Sequence, residues 1–541
     1  VAQVELRRRE LLRSAAAAAL ALALPSCGAR RRAIEGRIVG ANDARGHLLR
    51  DGATSAPSGA RGRADVVIVG GGVAGLSAAW KLDKSGARDF VLLELEDALG
   101  GNAQSGENEV SRHPWGAHYV PIPTREQRTL CEFLEEIGVV RGFDGEGRAV
   151  PAEEHVCRAP QERLYFRGAW TEGLYLRDGA GAEDLRQFER FHRIVADFAV
   201  RRDAEGRRAF AIPVHRSSRD PDLLALDAVS MSDWMWSQGL DSPRLRWYVE
   251  YACRDDFGAL LPTTSAWAAL HYFCSRIAAP GDDAAEFLTW PEGNAFLARR
   301  LAESTKGRAR CGVVVTSVEP SGDGALVRYV DAATRTEGEI AARRVVCAAP
   351  RFVSRRIVKG LPQDDEGFRY APWVVANLTM RSRPRERGFP LAWDNVLYES
   401  PSLGYVVATH QSDRLPREDS VWTWYLPFCG ADTVAERAAV QAKRWEDWRD
   451  AVVADLSPAH PDFADHVDRI DVWRWGHGMA RPSPGHVWGG ARERAARPFG
   501  VVHFAGADLG GLPLFEEAQW SGVRAAEEVL AALNVPFESS L

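Results

Sequence analysis

The sequence predicts an α/β fold in which a parallel-stranded domain is interleaved with an α+β domain. Three observations carry this reading. The apolar run Val66–Val69 leads into Gly70-Gly71-Gly72-Val73-Ala74-Gly75, and that into a helical pattern over Leu76–Leu82. A second apolar run, Phe90–Leu93, ends in an acid, Glu94, 24 residues after Gly70. The chain has 541 residues, more than one simple core organises, which suits two intertwined domains. In a Rossmann-like unit of this kind Gly70 permits the tight turn, Gly72 lets backbone approach a pyrophosphate and Gly75 lets the helix pack on the strand. Ala74 shares that turn. The helix N-terminus then offers unpaired N–H groups to the phosphates. Glu94 stands where such a unit places a carboxylate for ribose hydroxyls.

Taken from the beginning, residues 1–27 read as an export signal. Arg8-Arg9-x-Leu11-Leu12-Arg13 resembles the twin-arginine motif, and the apolar run Ser14–Leu24 has the length of a signal h-region, too short to span a bilayer. Leu24-Pro25-Ser26-Cys27 resembles a lipobox, which makes Cys27 a candidate lipid anchor; an ordinary signal cleaved elsewhere is the alternative. The expected partner is the twin-arginine export machinery, which carries folded, cofactor-loaded proteins, and the expected location is periplasmic or membrane-tethered. Residues 28–63, rich in Gly, Ala, Arg and Ser, read as a linker.

Composition narrows the classes. Hydrophobic content of 45% and charged content of 26% are ordinary for a globular chain, and a net charge of −6 gives no reason to expect nucleic acid. The eight cysteines form no CxxC and no zinc spacing, so no metal is expected and buried free thiols are the default. The 18 tryptophans include the i, i+2 pairs Trp234/Trp236, Trp422/Trp424 and Trp473/Trp475, which share a face wherever the segment is extended.

Residues 64–121 form the first part of the nucleotide domain. After Glu94 a second glycine pair, Gly100-Gly101, suits a chain passing over the pyrophosphate of FAD. Here the sequence resembles the flavin-containing amine oxidoreductase superfamily, with monoamine and polyamine oxidases, phytoene desaturases and protoporphyrinogen oxidase among its members. The family's C-terminal FAD motif has counterparts more than 400 residues away. Val501–Asp508, with Gly506 and Asp508, resembles the family strand, and Glu516–Ala526, with Glu516 and Ala518, resembles its "EGAxxSGxxAA" helix. The resemblance implies a GR2-type FAD-binding domain. No cysteine stands at the covalent flavin position, so non-covalent FAD is expected.

Residues 122–300 read as a mostly helical part of the substrate domain, with apolar residues at 3–4 spacing over 125–137 and 185–200. Residues 301–350 return to the FAD domain, and Val315 matches the family valine whose backbone meets the adenine. Residues 351–475 read as the substrate-domain sheet, interrupted by a helix over 434–456, and 476–541 as the third FAD segment.

Site residues are implied by the resemblance. His118 and Tyr119 lie where the family chain passes the isoalloxazine. Trp475 and His477 map onto a wall of the substrate site, with plain packing as the alternative. Arg356, or Arg355, falls near the position of the family lysine, although a guanidinium does not serve as a base. The flanking tyrosine before the C-terminal helix is replaced by Leu514 or Phe515. No second GxGxxG follows a strand, so the flavin is expected to take electrons from a small-molecule substrate, not from NAD(P)H. Oxygen, a quinone or a periplasmic carrier would reoxidise it. Three functions stay open: an FAD-dependent amine oxidase or dehydrogenase, a desaturase or isomerase of C–C bonds in an isoprenoid-like molecule, and a flavin-binding scaffold or electron-transfer protein. Acids lining the cavity would favour amines, and a dry aromatic tunnel would favour lipids.

Overall fold

The structure, a computed structural model, describes residues 33–51, 56–277, 286–363, 367–412 and 418–541. The twin-arginine motif and Cys27 lie outside the described residues.

The nucleotide domain forms because its strands are continuous apolar runs, the pattern of a parallel sheet covered on both faces. Ala56–Val69 lies between Phe90–Leu93 and Thr336–Cys347, parallel to both, in the register Val67↔Val91 and Val345↔Val67. Val502–Phe504 adds in parallel beside Thr336–Cys347. Val67, Ile68, Leu92 and Val345 are fully buried. Two helices, Val73–Lys84 and Phe515–Ala532, pack against each other. Glycine permits this contact: a Cβ on Gly522 would lie 2.1 Å from the Ala74 carbonyl oxygen, and one on Gly75 would lie 1.9 Å from that of Gly70.

The substrate domain centres on an eight-stranded sheet in the order Glu35–Gly40, Val467–Ala480, Tyr370–Met380, Ser420–Pro427, Tyr405–Val407, Asp394–Leu397, Glu162–Phe166, Ala169–Glu172. Every residue of Tyr370–Met380 is buried. Its alternate side chains part to two cores. Val374, Ala376 and Leu378 join Trp448 on one face, while Ala371, Trp373 and Val375 join Tyr251 and Trp475 on the other.

Four sequence expectations change. The expected linker is structured over residues 35–51: Glu35–Gly40 pairs in parallel with Val467–Ala480, and the helix Asp43–Asp51 follows. Ile34 and Ile38 pack against the Trp448 core. A six-residue edge strand carries little local signal, and its partner lies more than 400 residues away. The single helix over 434–456 is two, Thr433–Ala442 and Trp445–Leu456. The mostly helical stretch 122–300 contains the strands Val140–Phe143, Ala149–Pro151, Glu162–Phe166 and Ala169–Glu172, two of which complete the substrate sheet. Trp234 and Trp236 share no face. They sit on the helix Met231–Ser237, where Trp234 is 7% exposed and Trp236 73%.

Candidate active site

A cleft opens where the parallel strands end, the place an open α/β sheet offers a ligand. It encloses about 1430 Å³ of empty space. Gly70, Gly72, Ala74, Glu94, Gly100, Gly101, Val315, Gly506, Asp508 and Ala518 all line it. Gly75 lies beneath the turn, where it sets the packing. The misread N-terminal segment contributes as well: Leu49 forms part of the wall, and Arg45 anchors its helix by a 2.8 Å ion pair to Asp97 and a 3.1 Å bond to the Leu95 carbonyl.

The residues present fit FAD. A Cβ on Gly72 would meet nothing closer than the Gly101 Cα at 3.8 Å, so this glycine faces the open cleft. A Cβ on Gly101 would lie 3.0 Å from the Gly72 Cα, so bare backbone meets bare backbone where the phosphates would pass. No acid occupies the first turn of Val73–Lys84 to oppose an anion at its N-terminus. Glu94 is held by the backbone N–H of Gly71 at 2.5 Å and of Glu96 at 2.8 Å. Burial raises its pKa, and those two bonds work against the rise. Asp508 accepts from the Arg351 N–H at 2.8 Å and from the Tyr370 hydroxyl at 2.6 Å, which fixes its carboxylate at the cleft wall.

A second cavity, with about 970 Å³ of empty space, adjoins the first. The two share Asn102, Ala117, Gly478, Pro513, Leu514 and Phe515. The reacting end of a bound dinucleotide would therefore face the second cavity across this boundary. His118, Tyr119 and Trp475 line it. The Trp475 indole donates to the Trp115 carbonyl at 2.6 Å, which fixes the ring. Burial pushes His118 down to about 4, so its imidazole is neutral near pH 7 and lies among aromatic rings, 5.0 Å from Tyr425 and 5.2 Å from Trp393.

His477 and Arg356 are placed elsewhere. His477 lines the cofactor cleft, not the second cavity, and stacks on Phe352 at 4.0 Å. On the strand Val467–Ala480 the pairing with Tyr370–Met380 is irregular between Trp475 and Met479, which breaks the alternation that would otherwise set His477 on the face of Trp475. Arg356 is exposed on the helix Arg351–Ile357 and lines neither cavity. That helix turns its buried side, Arg351 and Ser354, inward and leaves Arg356 in solvent. Glu516, expected at the cofactor, lines the second cavity instead.

Sequence reasoning missed the acids Asp255 and Asp256 in that cavity. Asp255 and Asp256 end the helix Pro243–Phe257. Arg276 grips both oxygens of Asp256 at 3.2 and 3.1 Å. Asp255 has no such partner among the described residues. Burial, reinforced by the charge of Asp256, raises its pKa. Beside it Asp394, which accepts from the Tyr251 hydroxyl at 3.1 Å, is raised by burial and by Asp255. Burial lifts Glu516 to about 7. One signal was available: two consecutive acids in the last turn of a helix oppose its dipole, a local cost that marks positions chosen for another reason.

Comparison with known proteins agrees with this geometry. Residues 73–530 match the profile of the flavin containing amine oxidoreductase family. An oxidoreductase, PigB, of Serratia sp. (strain ATCC 39006) is 23% identical over 535 residues, covering 87% of this chain and 75% of the relative. Wild-type putrescine oxidase bound to putrescine superposes with a TM-score of 0.64 at 17% identity, over 87% of this chain and all of the other. A fatty acid isomerase of P. acnes that produces CLA superposes with a TM-score of 0.58 at 14% identity, over 86% and 98%. At these identities the superpositions establish the fold.

Proposed function

The chain belongs to the flavin containing amine oxidoreductase family and is an FAD-dependent oxidoreductase; from that premise we propose that it is an amine oxidase or dehydrogenase. The observation that carries this reading is the charge of the second cavity. Among the described residues Asp255, Asp256 and Glu516 face one cation, Arg276, which Asp256 already holds. Such a cavity draws in an ammonium group and disfavours an anionic head group. Bound FAD supplies the hydride acceptor. The protein's part is to place the substrate carbon and exclude water. Trp373, Trp475, Tyr119 and Tyr425 provide apolar walls, and the Trp475–Trp115 hydrogen bond keeps one of them fixed.

Those same walls favour a second reading, oxidation or isomerisation at C–C bonds of an apolar molecule. Anaerobic bleaching of the bound flavin separates the two. Putrescine and cyclohexylamine should bleach it, while an isoprenoid alkene and NADPH leave it yellow. Bleaching by the alkene alone would transfer the protein to the second reading, and rapid bleaching by NADPH would overturn the direction of electron flow. We also propose export by the twin-arginine route and anchoring at Cys27. Replacing Arg8 and Arg9 together by lysine should leave a yellow protein in the cytoplasm, and normal export of that variant would refute the route.

A further inference from the structure

One face of the helix Phe515–Ala532 carries Glu516, Gln519 and Trp520, spaced three and four residues apart and so aligned. Glu516 is 5% exposed and Gln519 is fully buried. Among the described residues Oε1 of Glu516, both amide atoms of Gln519 and the indole nitrogen of Trp520 have no hydrogen-bond partner. The His215 ring stacks on Trp520 at 3.9 Å, and its Nδ1 is unpartnered too. A buried amide bonded at neither end costs on the order of 1–3 kcal/mol or more, and such groups persist in folded proteins because ordered water completes them. Glu516, Gln519 and Trp520 line a narrow cleft with room for about one water molecule, which also meets Glu126 and the exposed Arg128 and Arg216. Among the described residues Glu516 alone lines both this cleft and the substrate cavity.

We infer that Glu516 is the inner end of a hydrated proton path by which the proton lost from a substrate ammonium leaves the cavity. This rests on the amine reading. An ammonium carries no lone pair to support hydride loss from the neighbouring carbon, so it must first give up a proton. The Glu516 carboxylate takes that proton: an N–H bond breaks, an O–H bond forms, and the electron pair stays on nitrogen. Bound FAD would supply the acceptor for the hydride that the freed lone pair allows to leave the carbon. Water held by Gln519, whose oxygen accepts and whose nitrogen donates, carries the proton outward and restores the carboxylate. The proton step itself consumes no oxidant. Asp255, Asp256 and Arg276 share the cavity with Glu516, Glu517 lies beside it on its own helix, and Glu126, Arg128 and Arg216 line the cleft. Burial places its pKa at about 7, where either protonation state is accessible near neutral pH.

The test is anaerobic flavin reduction in the holoenzyme, followed by stopped flow with putrescine and cyclohexylamine across pH. Glu516→Gln should slow reduction about 100-fold near pH 7, with the deficit closing at alkaline pH, where the amine arrives neutral. Gln519→Leu should slow it roughly tenfold with the same closing, and Gln519→Glu should recover most of the rate. A deficit equal at every pH, or none in either variant, overturns the path. If neither amine reduces the flavin, the amine reading fails, and infrared difference spectroscopy still tests the path. A protonated-carboxyl band lost in Glu516→Gln should exchange with deuterium more slowly in Gln519→Leu, and unchanged exchange refutes it.

Discussion

The two cavities are built by opposite means. The cofactor cleft is made largely of backbone and small residues, Gly70, Gly72, Gly100, Gly101 and Gly506, with the carboxylates of Glu94 and Asp508 at its wall. The substrate cavity is made of side chains drawn from many places: Asp255 and Asp256 from one helix end, Arg276 from beyond the next, Trp475 from the sheet and Glu516 from the last helix. A cofactor common to a family leaves its mark in local spacing. A particular substrate leaves its mark in which side chains the fold happens to gather.

The sharpest way to break this comparison lies within one turn. Gly75→Ala would put a methyl group 1.9 Å from the Gly70 oxygen and should cost about 1–3 kcal/mol or more, seen as a lowered thermal midpoint of the apoprotein. Gly72→Val should leave that midpoint nearly unchanged and lose most of the FAD, because its side chain fills only ligand space. Equal midpoint losses in the two would show that Gly72 is a folding residue.

The substrate cavity should answer differently. Asp255→Asn should retain the yellow cofactor and raise the KM for an amine about tenfold, with kcat changed far less. Release of FAD by this variant would mean that the two cavities are one unit.

A third prediction concerns pH. Glu517, fully buried and accepting from the Val214 N–H at 2.6 Å, is pushed up to about 8 by burial. Its folded pKa lies above its unfolded one, so folding favours the protonated form. The stability it contributes is complete below the unfolded carboxylate range and is lost as pH rises towards 8. Glu517→Gln should therefore stabilise the protein by about 2 kcal/mol near pH 8 and by almost nothing near pH 4. Denaturant unfolding at the two pH values checks this, and parallel curves would sink it.

The smallest effect is expected at Arg356. Arg356→Ala should change flavin reduction by less than about twofold, as at an ordinary surface position. A tenfold loss would restore it as a site residue.

How much was legible follows from the same contrast. Gly70, Gly72 and Glu94 were picked from local spacing and Val315, Gly506 and Asp508 from the family pattern, and all six line one cleft. Tyr119, His118 and Trp475, chosen by position along the family pattern, line the second cavity. Arg356 was misplaced because one step around a helix decides whether a side chain faces inward or solvent, and His477 because irregular pairing between Trp475 and Met479 interrupts the alternation of its strand. Asp255, Asp256 and Arg276 were missed because their meeting is wholly tertiary: Arg276 reaches back 20 residues to Asp256. The 35–51 segment was misread because composition weighs residues without regard to what they pair with.

That segment has a consequence for solubility. The strand Val467–Ala480 is 14 residues long and carries Trp473 and Trp475. Bare, it would present a long row of unpaired peptide groups, a template for sheet growth between molecules. Glu35–Gly40 covers part of that row and replaces it with an edge of six residues, in which Glu35 and Arg37 alternate outward. Short, charged edges resist further pairing. A molecule cut within residues 35–51 should keep its fold in the centre of the sheet and begin to associate through its margin.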